Sequence, residues 1–279
     1  MKLTVLVDNN TCIDRYFLAE PALSFLIEAE DKKILFDTGY SNIFISNATK
    51  MGISLLDIDQ VVISHGHIDH TGGLEPLIKH FFEATIENLP IKKLELIAHP
   101  LAFETKTYGP LAEIGSLVSL DKLSKNFEVK LTDEPVWLTD RLVFLGQVER
   151  NNNFEAKDPI GSLLTAQGLQ DDFLLDDTAL VYKADTGLVV IAGCSHAGIC
   201  NTIEYAKKVC GEEKIVDVIG GFHLLNPSDA QLNGTVEYFK SLSLPNLHCS
   251  HCTDLKSKIE LSKISNLKEV AVGLTLEYN

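Results

Sequence analysis

The ten residues Ser64-His65-Gly66-His67-Ile68-Asp69-His70-Thr71-Gly72-Gly73 constrain this chain more than any other stretch. They follow an apolar run, Val61-Val62-Ile63. A strand ending at Ile63 delivers the polar residues into a loop at a sheet edge. Thr71-Gly72-Gly73 then opens a helix that continues through Leu74, Leu77, Ile78 and Phe81. Three of the nine histidines in 279 residues fall within six positions, a density that a scattered polar surface does not produce. Imidazole and carboxylate are ligands that borderline divalent metals accept. Alternate residues of an extended loop project the same way, so His65 and His67 can share one ion. Asp69 and His70 follow where the chain curls into the helix, and they face a neighbouring position. The spacing predicts two adjacent metal sites with an aspartate near both.

The pattern H-x-H-x-D-H resembles the hallmark of the metallo-β-lactamase superfamily, and all four ligand positions are filled. The flanks agree: an apolar strand and Ser64 before, Thr71-Gly72-Gly73 after. The resemblance implies an α/β fold, an αββα four-layer sandwich of two mixed β-sheets with helices outside. It extends over nearly the whole chain. A single domain over 1–279 is therefore expected, with an irregular insertion around 150–177.

Composition narrows the partners. The net charge of −15 disfavours a broad nucleic-acid surface, which needs clustered Lys and Arg. No stretch approaches the ~18 uninterrupted apolar residues of a membrane span. Residues 1–8 read as a short strand, without the apolar segment and cleavage region of a leader, so a cytoplasmic protein is expected. Six cysteines are dispersed, which in such a chain argues for free thiols. Cys249-Ser250-His251-Cys252 holds one C-x-x-C without the second pair that a structural zinc site uses.

The pattern predicts strands over 3–7, 23–27, 33–36, 60–63, 94–98, 127–131 and 141–145, with a helix over 41–51 and another from the motif to Leu89-Pro90. Short β-type runs dominate 117–148. A hairpin is expected from 178–182 and 188–192 around Asp185-Thr186-Gly187. The alternation then continues: helix 199–209, strand 215–219, helix 229–242, strand 246–250, helix 254–261 and a strand pair near the C-terminus. Strands followed by helices in two halves of similar size fit two sheets packed face to face.

Three later segments place polar residues after apolar strands: Gly193-Cys194-Ser195-His196-Ala197-Gly198, Gly220-Gly221-Phe222-His223 and His248-Cys249-Ser250-His251-Cys252-Thr253. Loops at one edge of a rigid sandwich can converge, which makes His196, His223 and His251 candidates for one pocket. His80 and His99 read as structural. The superfamily resemblance implies that a histidine near the C-terminus closes the second metal, hence His251. The sequence departs from the superfamily in two places. The G-H-T-like turn is replaced by Leu175-Asp176-Asp177-Thr178-Ala179-Leu180, and the bridging aspartate is replaced by Cys194. His196 is the expected substitute nitrogen. The expected metal ligands are thus His65, His67, Asp69, His70, His196 and His251. Whether Asp177, Cys194 or His223 also ligates stays open. One or two divalent ions are expected, zinc first, with iron or manganese as alternatives.

A divalent metal lowers the pKa of bound water towards ~7. The expected activity is hydrolysis of a small, anionic metabolite through a metal-bound hydroxide. Asp69 would orient it or carry its proton, and His223 would act as acid–base or substrate contact. The N-terminus of the helix from Ile199 offers a seat for a phosphate or carboxylate, against the plainer reading of an ordinary strand-to-helix turn. The strings Phe36-Asp37-Thr38-Gly39, Gly193-Cys194-Ser195-His196-Ala197-Gly198, Gly221-Phe222-His223-Leu224 and His251-Cys252-Thr253 together resemble a subfamily that includes an archaeal dihydropterin–ribofuranosylaminobenzene 5'-phosphate synthase. That resemblance implies the alternative, a transferase that joins those two substrates. The oligomeric state is open.

Overall fold

The computed structural model describes residues 1–279. The first half contains β1 (Lys2–Val7), β2 (Ser24–Ala29), β3 (Lys32–Phe36), α1 (Ile43–Lys50), β4 (Gln60–Val62), α2 (Ile68–Thr71), α3 (Leu74–Ile86), β5 (Glu95–Ala98), β6 (Lys106–Thr107), α4 (Leu120–Asn126) and β7 (Glu128–Leu131). The second contains β8 (Val136–Trp137), β9 (Leu142–Phe144), β10 (Ser162–Thr165), β11 (Gly168–Asp171), β12 (Ala179–Ala184), β13 (Gly187–Ala192), α5 (Ile199–Cys210), β14 (Ile215–Gly221), α6 (Asp229–Leu242), β15 (His248–Ser250), α7 (Leu255–Ser262) and β16 (Thr275–Glu277). No helix is long and apolar enough to cross a membrane.

Two mixed sheets face each other, in the orders β16-β1-β2-β3-β4-β5-β7 and β15-β14-β13-β12-β9-β8. The alternation of side chains along each strand sorts the core into layers. Phe25, Phe36, Val62 and Ile97 from the first sheet meet Phe144, Tyr182, Ile191 and Ile219 from the second. On the outer face of the first sheet, Leu35, Val61 and Leu96 pack against Phe44, Leu74, Leu77 and Leu123 of the helices. Outside the second, Val181, Val190 and Val218 pack against Ile199, Ile203 and Phe239. These four layers are the expected αββα sandwich. Central strands covered on both faces read as continuous apolar runs, as Val61-Val62-Ile63 and Leu188-Val189-Val190-Ile191 do.

The expected elements form, with three differences. Residues 117–148 contain α4, which buries only Leu123 in its length, too few apolar positions for a helical period to show. The stretch 150–177 was expected to be irregular. It holds the hairpin β10–β11, with Leu163 paired to Lys106 of β6. Its strands are too short and polar to stand out as period two. At the C-terminus a single strand, β16, pairs with β1 in place of a strand pair.

The sheet order decides where polar loops meet. β3 runs parallel to β4, and β13, β14 and β15 run parallel to one another. Parallel strands end on the same side, and the crevice beyond their carboxyl ends is where open α/β sheets assemble sites.

Candidate metal centre

Five strand ends deliver side chains to that crevice: Asp37 after β3, the motif after β4, Cys194 and His196 after β13, His223 after β14 and His251 after β15. The motif loop can fit only because its middle residue has no side chain. A Cβ on Gly66 would stand 2.2 Å from the Ala102 carbonyl oxygen and 2.9 Å from Lys106 Cε. The helical turn begins earlier than expected, at Ile68, and carries Asp69 and His70 together.

The ligand atoms form two groups. His65 Nε2 lies 3.1 Å from His67 Nδ1 and 3.2 Å from His196 Nε2. His251 Nε2 lies 3.2 Å from His70 Nε2 and 3.3 Å from Asp69 Oδ2, and His70 Nε2 is 3.5 Å from that carboxylate oxygen. Nitrogens held about 2.0–2.1 Å from one ion in a tetrahedral array stand roughly 3.3 Å apart. The observed spacings are of that size. All six expected ligands are thus brought together, and His65 and His67 fall in one group as their spacing predicts. Asp69, expected near both positions, belongs to the second group alone. The residue common to both is Cys194, whose sulfur is within 4.8 Å of His65 and His196 and, separately, of Asp69, His70 and His251.

Hydrogen bonds to the far nitrogens orient three of these rings. Ser64 donates its hydroxyl to Asp37 Oδ2 at 2.7 Å, so its oxygen accepts from His65 Nδ1–H at 3.0 Å. His70 Nδ1–H donates to the same carboxylate at 2.7 Å. Asn9 donates from Nδ2 to the His251 carbonyl, which turns its amide oxygen towards His251 Nδ1–H at 3.2 Å. Each ring is left with its Nε2 facing its group. Carboxylates and carbonyls that hold metal-binding imidazoles in this way set their tautomer and orientation. Asp37 sits at a φ of +58°, a strained conformation for a non-glycine residue, and serves His70 directly and His65 through Ser64. Its sequence signal was the Asp-Thr-Gly string, which by itself read only as a turn.

The electrostatics differ between the two groups. Burial holds the His65 and His196 imidazoles well below the usual histidine range, reinforced by neighbouring histidines, and lowers His67 to about 4. Their nitrogens are therefore not competing with protons for a cation near neutral pH. Burial would also lower His70, but Asp69 and Asp37 outweigh it and hold that ring well above its ordinary value. Burial pushes the Asp69 carboxyl up. His70 and His251 outweigh it and hold the group well below the carboxylate range.

Of the three undecided residues, Asp177 joins neither group. Burial pushes its carboxyl up to about 7, and its Oδ2 accepts the Ala197 N–H at 2.9 Å, which holds the turn that carries His196. His223 packs its ring 4.2 Å from the His196 ring, with a buried Nδ1 that has no hydrogen-bond partner. Cys194 is the one placed among the ligands. The expected anion seat at the start of α5 is already filled by the chain. Glu155 accepts the N–H groups of Cys200 and Asn201 at 3.0 Å each. A carboxylate satisfies a helix N-terminus as an external anion would.

The groups open onto a cavity of about 430 Å³ whose lining includes Asn9, His67, Asp69, His196, His223 and His251. No Lys or Arg lines it. Beneath the motif loop, Lys106 is fully buried between Asp172 at 2.9 Å and Asp176 at 3.0 Å, and Asp176 accepts the Gly66 N–H at 2.8 Å. No local pattern marked this triad in the sequence, because its members come from β6 and from the far side of the β10–β11 hairpin. For His196→Ala, elemental analysis is expected to show the loss of about one ion per chain, since too few ligands remain for a closed first group. Unchanged metal content would remove His196 from the ligand set.

A model of the metallo-beta-lactamase superfamily matches residues 19–207. The chain is 30% identical over 272 residues to the 7,8-dihydropterin-6-methyl-4-(beta-D-ribofuranosyl)-aminobenzene-5'-phosphate synthase of Methanocaldococcus jannaschii, covering 92% of this chain and 89% of that one. It is 31% identical over 276 residues to an uncharacterized protein of the same archaeon, covering 97% and 98%. Among solved structures, the crystal structure of a metal-dependent hydrolase of the beta-lactamase superfamily is similar at a TM-score of 0.83 and 28% identity, covering 100% of this chain and 99% of that one.

Proposed function

The chain belongs to the metallo-beta-lactamase superfamily, and on that premise we propose that it is a two-metal enzyme that hydrolyses a small metabolite. The observation that carries the reading is the pair of ligand groups with ring nitrogens turned inward beside one cavity. In this reading His65, His67 and His196 hold one divalent ion, and Asp69, His70 and His251 hold the other. Such ions supply Lewis-acid charge stabilisation and acidify a coordinated water. The chain's own residues supply orientation and proton handling. Asp69 keeps 30% of its side chain exposed to the cavity, so its carboxylate can accept a proton there while its other contacts fix it. His223 borders the same cavity and can contact or protonate substrate. A lining without Lys or Arg leaves the ions as the main attraction for an anionic substrate, and a small cavity in a chain of net charge −15 suits a metabolite rather than a nucleic acid.

A second reading is favoured by the 30% identity to the Methanocaldococcus jannaschii synthase over most of both chains. There the same groups would bind substrate heteroatoms while a dihydropterin is joined to a ribofuranosylaminobenzene phosphate. Protein purified without chelator is expected to contain about two equivalents of zinc, iron or manganese. Two assays on that protein separate the readings: turnover of phosphodiesters and lactones, and joint consumption of a dihydropterin and the aminobenzene ribonucleotide. Hydrolysis without coupling supports the first reading, and coupling without hydrolysis replaces it with the second. A chain that binds no metal after reloading would sink both.

A further inference from the structure

The atom that lies within 4.8 Å of ligand atoms in both groups is a sulfur, and its surroundings aim it at them. Gly193 lets the end of β13 press against the motif loop, since a Cβ there would stand 2.1 Å from Ser64 Oγ and 3.2 Å from Asp37 Oδ2. The next residue, Cys194, is 4% exposed and is driven into the space between the two groups. Its backbone oxygen is already occupied, 3.3 Å from the Cys252 thiol that donates to it. Its own sulfur lies 3.3 Å from His70 Nε2 and shares a hydrogen bond with the Cys252 side chain. The other nitrogen of that ring, Nδ1, faces Asp37 Oδ2 at 2.7 Å.

We propose that Cys194 bridges the two metal positions through its thiolate and makes the centre select thiophilic ions. The proposal rests on the two-metal reading above. On binding, the thiol S–H bond breaks, the proton leaves to solvent, and the sulfur lone pairs form bonds to the ions; no oxidant is involved. Asp69 cannot take this part, since it reaches only the second group. Cys252 does not take it either, because the sulfur that falls within 4.8 Å of ligand atoms in both groups is that of Cys194. The Cys252 thiol donates to the Cys194 carbonyl and its sulfur accepts the His223 N–H at 3.2 Å. A soft sulfur at the shared position favours zinc and cobalt over manganese and magnesium, which take carboxylate, carbonyl and water.

The test is a cobalt(II) titration of metal-stripped protein, read by the near-ultraviolet thiolate-to-cobalt charge-transfer band and by elemental analysis after dialysis. In the wild type and in Cys252→Ser the band is expected to grow through both equivalents. In Cys194→Asp about two ions should still bind, without the band, and excess manganese should displace the cobalt that the wild type retains. Cys194→Ala should hold about one ion, and recovery of the second in the aspartate variant separates lost ligation from lost folding. A band that saturates after one equivalent overturns the bridge, because the sulfur then serves one ion. A band that persists in Cys194→Asp assigns the sulfur to Cys252 and overturns the proposal outright. A wild type that binds two ions with no band also overturns it. A wild type that binds no cobalt removes the two-metal reading on which it stands.

Discussion

Asp69→Asn is expected to lower turnover at least ~10²-fold, the low end for losing general acid–base catalysis, while the protein keeps its fold. Asparagine preserves the shape of the side chain, so the cavity wall and the nearby rings stay in place. It removes the negative charge that His70 and His251 stabilise and the oxygen that can accept a proton. The fold should tolerate the change because Asp69 lies on the short helical turn outside both sheets, with no place in the apolar layers. The measurement is kcat on whichever substrate the wild type turns over, with elemental analysis of the same sample. A large loss at full metal content supports a role in proton handling. Wild-type turnover at full metal content would make Asp69 structural. Loss of both turnover and about one ion would show that Asp69 is needed to hold an ion and would not separate that from proton handling.

Lys106→Met is expected to destabilise the chain by about 3–5 kcal/mol, the range for removing one partner of a buried ionic group. For a chain of this size the melting temperature should fall on the order of 10 °C. The Lys106 side chain is fully buried, and Asp172 and Asp176 are nearly so. Without the ammonium, two buried carboxylates repel each other with nothing to compensate them. The sign of the pH dependence follows from the two shifts. Burial lowers the Lys106 ammonium, but Asp176 and Asp172 outweigh it and raise its pKa. Its contribution is complete below the unfolded lysine value of about 10.4 and is lost as pH rises through the folded one. Burial raises the Asp176 carboxyl, but Lys106 outweighs it and the net direction is down. Its contribution is present above the unfolded value of about 3.9 and is lost as pH falls through the folded one. The triad therefore stabilises the whole neutral range, and melting of the wild type against the variant near pH 7 measures it. The combined replacement Lys106→Met with Asp172→Asn and Asp176→Asn should recover most of the stability, because it leaves no uncompensated charge. If Lys106→Met melts like the wild type, the triad contributes nothing net. Metal affinity should fall with stability in the single variant, since Asp176 also holds the Gly66 N–H of the motif loop.

The contrast between these two residues separates what can be read along a chain from what cannot. The sequence determined that this protein carries a His- and Asp-rich motif at the end of a buried strand, and it determined the direction of four side chains within it. Neighbours two residues apart in an extended loop share a side, and a helical turn sets the next pair apart, so His65 with His67 and Asp69 with His70 were legible from spacing. The strand-to-loop transitions at Cys194, His223 and His251 were legible as well, because apolar runs end abruptly there. Tertiary structure decided which distant ends lie side by side. The adjacency of β3 to β4 put Asp37 behind two histidines, and the parallel order β13-β14-β15 put His196 in one group and His251 in the other. It chose Cys194 over Asp177 as the residue among the ligands, filled the N-terminus of α5 with Glu155, and buried Lys106 under the motif loop. Local spacing fixes only where a side chain points relative to its own strand. Which strands become neighbours is settled by how whole apolar faces pack, a property that no short window of sequence contains.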